Sequence, residues 1–422
     1  MKKSLEFEEL LASVRGALDH LPEHRSGQNT QYTLTEAGLC AFSVFYMQSP
    51  SFLAHQRDMQ RQRGQHNVES LFGVERIPSD SQLRNLLDPV DPAKLRAPFW
   101  EIYAQLEAAG HLTAYTGVLG TRLISLDGSQ YFSSQKVHCP NCRVAMHDEQ
   151  AYYSHGVLVA VMNAPEQEHV ICLDPEFITP QDGHEKQDCE QQAIKRWVKR
   201  NADRFESNTI TILTDDLHCH YPLCKLLKEH HMHFILTCKE ESHSALYEEV
   251  HLLESVPGGV STMEVDKWYG RRRERWIYRW AEQVPIRADL ETIMVNWCEL
   301  TILDGATGKR LYHCAWATDH PVTKQTVPEI VADGRSRWQV ENEGLNVLKN
   351  QGYHFEHNYG HGQQNLSSVL LTLLLLAFLC HTALGLSCPT YQAVRRELGA
   401  RRTFFNDLRA LTRYFYFPNW QR

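Results

Sequence analysis

Arg122-Leu123-Ile124-Ser125-Leu126-Asp127-Gly128 is the stretch whose reading decides the fold. It is a compact apolar run ending in an acid and a glycine, the pattern of a short buried strand. Outward from it, residues 153–162 and 170–173 form two more strand-like runs. Residues 188–204 read as a helix with Ala193, Trp197 and Val198 on one face, and 209–214 as a strand closed by Asp215 and Asp216. A helix over 221–230 and a strand over 233–238 follow. The order is βββαβαβ, with one acid after the first strand and one after the fourth. In open α/β sheets ligands gather beyond the carboxyl ends of the strands, where both acids are expected.

That order is the one an RNase H-like nuclease fold uses, with a final helix carrying a third carboxylate. The segment Arg335-Ser-Arg-Trp-Gln-Val-Glu341-Asn-Glu343-Gly-Leu-Asn-Val-Leu-Lys349 is the candidate for that helix, broken only by Gly344. Between the fifth strand and it, residues 270–280, 291–302 and 310–317 alternate in a β-like way, with turn signals at Asp304-Gly305 and Thr307-Gly308. The expected fold class is α/β: an RNase H-like mixed sheet flanked by helices and interrupted by a mostly antiparallel β insertion, with an N-terminal helical domain. The expected boundaries are 1–115 for the helical domain, for DNA binding or dimerisation, and 116–241 for the first part of the core. The insertion is expected over 242–332, the closing helices over 333–387 and a basic, aromatic tail over 388–422.

In the first domain Leu5, Leu10, Leu11, Val14 and Leu18 recur at helical spacing, residues 34–46 form a second apolar-faced segment, and Ser79 stands as a cap before Leu83. It reads either as a packing domain or as one that binds DNA ends through Arg57, Arg61 and Arg63. A chain of 422 residues with 42% hydrophobic and 22% charged residues has room for two or three domains. The net charge of −8 carries no global basic excess, so nucleic-acid contacts must come from local patches. The acidic N-terminus is unlike a signal peptide, and the twelve cysteines are spread over a long chain, which points to reduced thiols in the cytoplasm. The apolar run 369–380 is about 12 residues long, shorter than the roughly 20 that span a bilayer, so a buried core helix is expected and no membrane partner.

Two Mg²⁺ or Mn²⁺ ions about 3.5–4 Å apart can serve phosphodiester cleavage and need carboxylate oxygens as ligands. Asp127, Asp215 and Glu341 are the candidates, with Asp216 and Glu343 as rivals in adjacent registers. The strings Leu123-Ile-Ser-Leu-Asp127-Gly, Ile212-Leu-Thr-Asp215-Asp-Leu and Arg337-Trp-Gln-Val-Glu341-Asn resemble the three acidic motifs of bacterial insertion-sequence DDE transposases. The subgroup it looks like carries a β-sheet insertion before the glutamate. In that family the glutamate helix has a Y-(2)-R-(3)-E-(6)-K pattern; Arg337 and Glu341 match it, Gly334 stands in place of the tyrosine, and Lys349 lies one residue too far. The resemblance implies metal-dependent cleavage of element ends and joining of the 3′-hydroxyl to target DNA. It further implies double-stranded DNA as partner, a homodimer in the DNA complex, and a bacterial, nucleoid-associated location. An RNase H-like nuclease or resolvase without strand transfer, or an inactive DNA-binding descendant, are the competing readings.

Two further groups stand out. Arg271, Arg272, Arg273 and Arg275, interleaved with Trp268, Trp276 and Trp280, form either a DNA-binding surface or a solvated face over a sheet core. Cys139-Pro-Asn-Cys142 offers two thiolates to a structural Zn²⁺, with Cys189 as third ligand and His155, His147, His138 or His184 as fourth; the other reading is a reduced, metal-free turn.

Overall fold

A computed structural model describes residues 2–26, 31–59, 66–180, 186–270, 272–289 and 291–421, without the side chains of 147 and 186–189. Arg61, Arg63, His184 and Arg271 therefore lie outside the described residues. The N-terminal part is helical: α1 Phe7–Asp19, α2 Leu34–Tyr46, α3 Phe52–Met59, α4 Asn67–Phe72, α5 Asp80–Leu87 and α6 Ala97–Ala108. The start of α2 is fixed by a capping box: the Thr33 hydroxyl accepts from the Glu36 amide at 3.0 Å, and the Glu36 carboxylate accepts from the Thr33 amide at 2.8 Å.

The strands that follow are β1 Arg122–Ser134, β2 Arg143–His147, β3 Gln150–Asn163, β4 Ile171–Cys172 and β5 Glu176–Ile178. Helix α7 Lys186–Asn201, β6 Ile210–Thr214, α8 Tyr221–Glu229 and β7 His233–Thr237 continue the alternation. Helix α9 Ser244–Glu254 then leads to β8 Ser261–Tyr269, β9 Arg272–Pro285, β10 Met294–Asp304 and β11 Arg310–Thr318. All eleven strands among the described residues belong to one mixed sheet, in the order β2-β3-β1-β6-β7-β11-β10-β9-β8, with β4 and β5 also paired to β3. β1 is parallel to β6 and β6 to β7, whereas β3 is antiparallel to β1 and β11 to β7. The alternating segments expected over 242–332 are thus four antiparallel strands that extend the main sheet, preceded by α9.

Beyond β11 the chain is helical over 327–350. It comprises α10 Val327–Ser336, a turn through Arg337 in helical conformation, a π-helical turn over Val340–Leu345, and α11 Asn346–Asn350. Then come α12 Leu366–Ser387, α13 Pro389–Leu398 and α14 Arg401–Tyr414. The stretch expected as a basic, aromatic tail is therefore mostly two helices. Its last residues return to the N-terminal helices, where the Trp420 indole donates to the Leu71 carbonyl at 2.8 Å.

Two cores sandwich the sheet. On one face Leu123, Leu213, Ile235 and Trp316 pack against Val327, Ile330 and Val331 of α10. On the other, Ile124, Ile212 and Phe234 join Trp197, Leu227, the N-terminal helices and α12 in one continuous cluster. Helix α12 is long and apolar enough to cross a membrane, yet 89% of its apolar window is buried inside the protein, packed against α2, α6 and β4. Its apolar residues run all round because protein surrounds it.

One carboxylate fastens this helix to the N-terminal part. Asp88, at the end of α5, accepts from the backbone amides of Gln363, Gln364, Asn365 and Leu366 at 2.9–3.2 Å, so it satisfies the free amides at the head of α12. Gly362 is required there, because a Cβ would lie 2.2 Å from the Asp88 carboxylate and its φ is +70°. Replacing Asp88 with alanine is expected to lower stability by about 1–2 kcal/mol, the usual worth of a charged helix cap, seen as a reduced thermal midpoint. An unchanged midpoint would mean that water serves these amides equally well.

Candidate carboxylate site and candidate metal centre

Register brings the two aspartates together. β1 pairs with β6 from Arg122 opposite Ile210 to Ser125 opposite Leu213. Carried two residues further, it sets Asp127 beside Asp215, on strands about 4.8 Å apart. Asp127 does not follow its strand, as expected from the sequence; β1 runs on to Ser134 because β3 supplies a hydrogen-bonded partner along that length. Residues 123, 125 and 127 share a face. Leu123 on that face packs toward α10, so Asp127 faces the helical segment that carries Glu341.

Buried hydrogen bonds hold that segment in place. The Ser125 hydroxyl donates to the Asn163 side-chain oxygen at 2.8 Å, and the Asn163 amide donates to the Ser336 carbonyl at 3.1 Å and hydroxyl at 2.9 Å. The Gln339 amide donates to the carbonyls of Ala164 and Gln167 at 3.0 and 2.9 Å. These bonds tie β1, β3 and the 327–350 helix into one unit. Gly334, where the family pattern has tyrosine, lies under the Trp316 indole; a Cβ would meet it at 2.5 Å, so no side chain fits.

The Arg337 guanidinium bonds the Glu341 carboxylate at 2.6 Å, and its other amino group, Nη1, is buried with no hydrogen-bond partner among the described residues. Lys349 pairs with Glu356 at 2.9 Å. The turn at Val340–Leu345, which contains Glu341 and precedes Lys349, is π-helical and so holds one residue more than an α-turn between the same hydrogen-bonded neighbours.

The rivals separate by their partners. Asp216 is buried, and its carboxylate accepts from the Lys239 amide at 2.6 Å and lies 3.0 Å from the His243 ring. Asp215 caps the short turn after β6 by accepting from the Leu217 amide at 3.1 Å. Among the carboxylates acting on Asp127 are Glu341, Asp215 and Glu190. Burial pushes the Asp127 carboxyl up to about 7; Arg337 opposes this, and Glu341, Asp215 and Glu190 add to it.

Glu190 escaped the reading of the sequence. It lies buried on α7 against Gly128, where a Cβ would come within 2.5 Å of its carboxylate. The buried His218 ring stands 3.7 Å from both Glu190 and Asp215. The available signal was position: Glu190, Ala193 and Trp197 share the apolar stripe of α7, an unusual place for a carboxylate.

The donors at the carboxylate site are all hard oxygens, which suits Mg²⁺ or Mn²⁺. Among the described residues, however, the groups whose ligand atoms all lie within 4.8 Å of one another are Cys139, Cys142, His155 and His361, and separately His233, Asp319 and His320. The second group has protein partners at the opposite end of β7: Asp319 bonds His233 and the Phe234 amide, and His320 bonds Thr211.

The first group is a buried cluster that can hold a metal such as zinc. Cys139 and Cys142 lie between β1 and β2, His155 on β3, and His361 between α11 and α12. The Cys142 sulfur is 3.9 Å from that of Cys139, 3.4 Å from His155 Nε2 and 3.3 Å from His361 Nε2. His155 Nε2 lies 3.5 Å from the Cys139 sulfur and 3.1 Å from His361 Nε2. His361 takes the place expected for Cys189, whose side chain is outside those described, and no spacing rule could have found it more than 200 residues from His155. His138 instead stacks on Tyr153.

On the outer sheet, Trp276 is buried, with Lys267 3.6 Å and Arg335 4.9 Å from its ring centre, so it offers no free face for stacking a base. Trp268 is the exposed indole there. Arg272 and Arg275 are exposed and Arg273 is half-buried, and the three pair with Glu274, Glu264 and Asp266 respectively. Arg57 pairs with Asp58 at 3.8 Å. Neither a scan of protein-family models nor a search of curated proteins finds a match to the chain.

The raised Asp127 carboxyl sets a pH dependence. The folded chain holds a proton there that the unfolded chain releases near pH 4, so without divalent cations the native state loses stability as pH rises from about 4 to about 7. Asp127→Asn removes this loss. The variant is expected to be more stable than the wild type at pH 8 and similar at pH 4, by thermal melts without added Mg²⁺ or Mn²⁺. A difference independent of pH would contradict the burial argument.

Proposed function

We propose that this chain is a DDE transposase of the bacterial insertion-sequence type, which cleaves element ends and joins the freed 3′-hydroxyl to target DNA. What supports the reading is the placement of Asp127 and Asp215 toward the same end of two neighbouring parallel strands, with Glu341, on a later helical segment, near enough to act on the Asp127 carboxyl. The strand order, with β3 antiparallel to β1 and with β1, β6 and β7 parallel, supports an RNase H-like core. On this reading β8–β11 is the insertion that precedes the catalytic glutamate.

Asp127, Asp215 and Glu341 would hold two Mg²⁺ or Mn²⁺ ions. Such ions, when bound, activate the attacking oxygen and neutralise the leaving one. The chain's own part is positioning: the Asn163 and Gln339 hydrogen bonds fix the glutamate helix against the strands. Arg337, paired with Glu341, offsets the acids in the free protein and offers a cation to a DNA phosphate there. In the first step a water oxygen bonds to phosphorus, the 3′ oxygen leaves and the water's proton goes to solvent. In the second step that 3′ oxygen attacks a target phosphorus and expels the target strand's own 3′ oxygen. Exposed Trp268, with Arg272, Arg273 and Arg275, offers a DNA-facing surface if phosphates displace their acidic partners. Holding two element ends calls for a homodimer.

The test uses labelled DNA from the ends of the element that carries the coding region, with a second duplex as target. Mg²⁺- or Mn²⁺-dependent nicking followed by joining is expected, with Asp127→Ala, Asp215→Ala and Glu341→Gln each reducing both by more than about 100-fold, more than losing a group that only hydrogen-bonds a metal ligand costs. Nicking without joining would favour a nuclease, and joining that survives Asp127→Ala would overturn the assignment.

A further inference from the structure

We propose that Cys139, Cys142, His155 and His361 bind one Zn²⁺ as a closed structural site, which clamps the segment following the Glu341 helix onto the β1–β3 ribbon that carries Asp127. The inference does not depend on the reaction assigned above.

Geometry is the first support. Around a tetrahedral zinc with sulfur at about 2.3 Å and nitrogen at about 2.0–2.1 Å, ligand atoms stand about 3.8 Å apart for S–S, about 3.5 Å for S–N and about 3.3 Å for N–N. The separations are 3.9 Å for S–S, 3.3 to 3.5 Å for three of the four S–N edges and 3.1 Å for N–N, and the fourth S–N edge, Cys139 to His361, lies within 4.8 Å. Four side chains from three separate stretches of chain thus already outline the tetrahedron. All four are buried, with exposures of 7% or less, leaving no open coordination position for a substrate. Two thiolates and two imidazoles are a donor set that selects zinc over hard cations.

The surrounding hydrogen bonds are those a metal site needs. His361 Nδ1 lies 2.9 Å from the Gly362 carbonyl, which can only accept, so Nδ1 carries the proton and Nε2 turns its lone pair toward the cluster. The Cys139 amide points at the Cys142 sulfur at 3.5 Å, and the Cys142 amide donates to the Cys139 carbonyl at 3.1 Å, which shapes the C-x-x-C turn around one point. Without a metal, these crowded atoms have only weak thiol S–H donors and one imidazole–imidazole contact to offer one another.

The clamp joins distant parts. Phe132 and His155 face each other across β1 and β3, five residues along β1 from Asp127, or about 16 Å. His361 belongs to the connection from the Glu341 helix to α12, and the Asn141 amide donates to the Gln364 carbonyl at 2.8 Å beside it. Asp88 holds the same connection from the N-terminal side. One ion would therefore fix both ends of the link between the carboxylate site and α12.

Elemental analysis of the full-length protein, expressed with zinc in the medium, is expected to give one zinc per chain. His361→Ala and Cys142→Ser are expected to lose it, whereas Cys189→Ser retains it. X-ray absorption at the zinc edge of the wild type, which does not depend on any variant folding, is expected to show two sulfur and two nitrogen ligands. Chelation is expected to lower the thermal midpoint and open residues 351–365 to proteolysis. A wild type without metal, a three-sulfur shell, or full zinc retention in His361→Ala would each overturn the proposal.

Discussion

The antiparallel pairing of β1 with β3 runs from Leu123 opposite Asn163 to Ser134 opposite Tyr153, and three attachments depend on it. At one end Asn163 turns its side chain to Ser125 and Ser336, which fixes the helical segment bearing Glu341. Near the middle stands Asp127, opposite Val159. At the far end His155, with the Cys139–Cys142 turn, meets His361. A slip of one residue in this ribbon would turn Asp127 to the opposite core and His155 away from the cysteines. The register is protected by the buried run from Val157 to Met162, which has no solvent-facing side to exchange with.

The carboxylate site is costly to fold and is arranged so that the cost falls on few atoms. Asp127 is half-buried, with Glu341, Asp215 and Glu190 acting on it, and the charge that offsets them is Arg337. Arg337 lies on the same helical segment as Glu341, one turn before it, so it shields the acids without a separate structural element. The π-turn that follows rests on the sheet through Gly344, close to Val161 and Val170. Such turns recur at functional sites because they add a residue without ending the helix.

Much of this was legible in the sequence where local chemistry decides structure. The strand segments leading to Asp127 and Asp215 were readable as apolar runs closed by acids, and α2 by its apolar content. The second half of β1, Gly128–Ser134, was not, because polar residues there become strand only through pairing with β3. β2 was hidden for a similar reason: its apolar residues, Val144 and Met146, are exposed, so no apolar face marks it. Asp216 and Asp215 are equivalent as a dipeptide and differ only in what the fold brings to them, His243 and the Lys239 amide for one, the shared site for the other. His361 and Glu190 enter their sites through tertiary packing, which leaves at most a carboxylate on an apolar stripe as a trace.

The central claim is that Asp127, Asp215 and Glu341 form one divalent-cation site. A crystal structure of the protein grown with Mn²⁺ and a DNA end, with anomalous difference maps at the manganese edge, tests it most directly. The account predicts manganese peaks in contact with all three carboxylates, with Arg337 moved from Glu341 toward a phosphate. Manganese bound elsewhere, or a site still closed by the Arg337–Glu341 pair with DNA present, would contradict it.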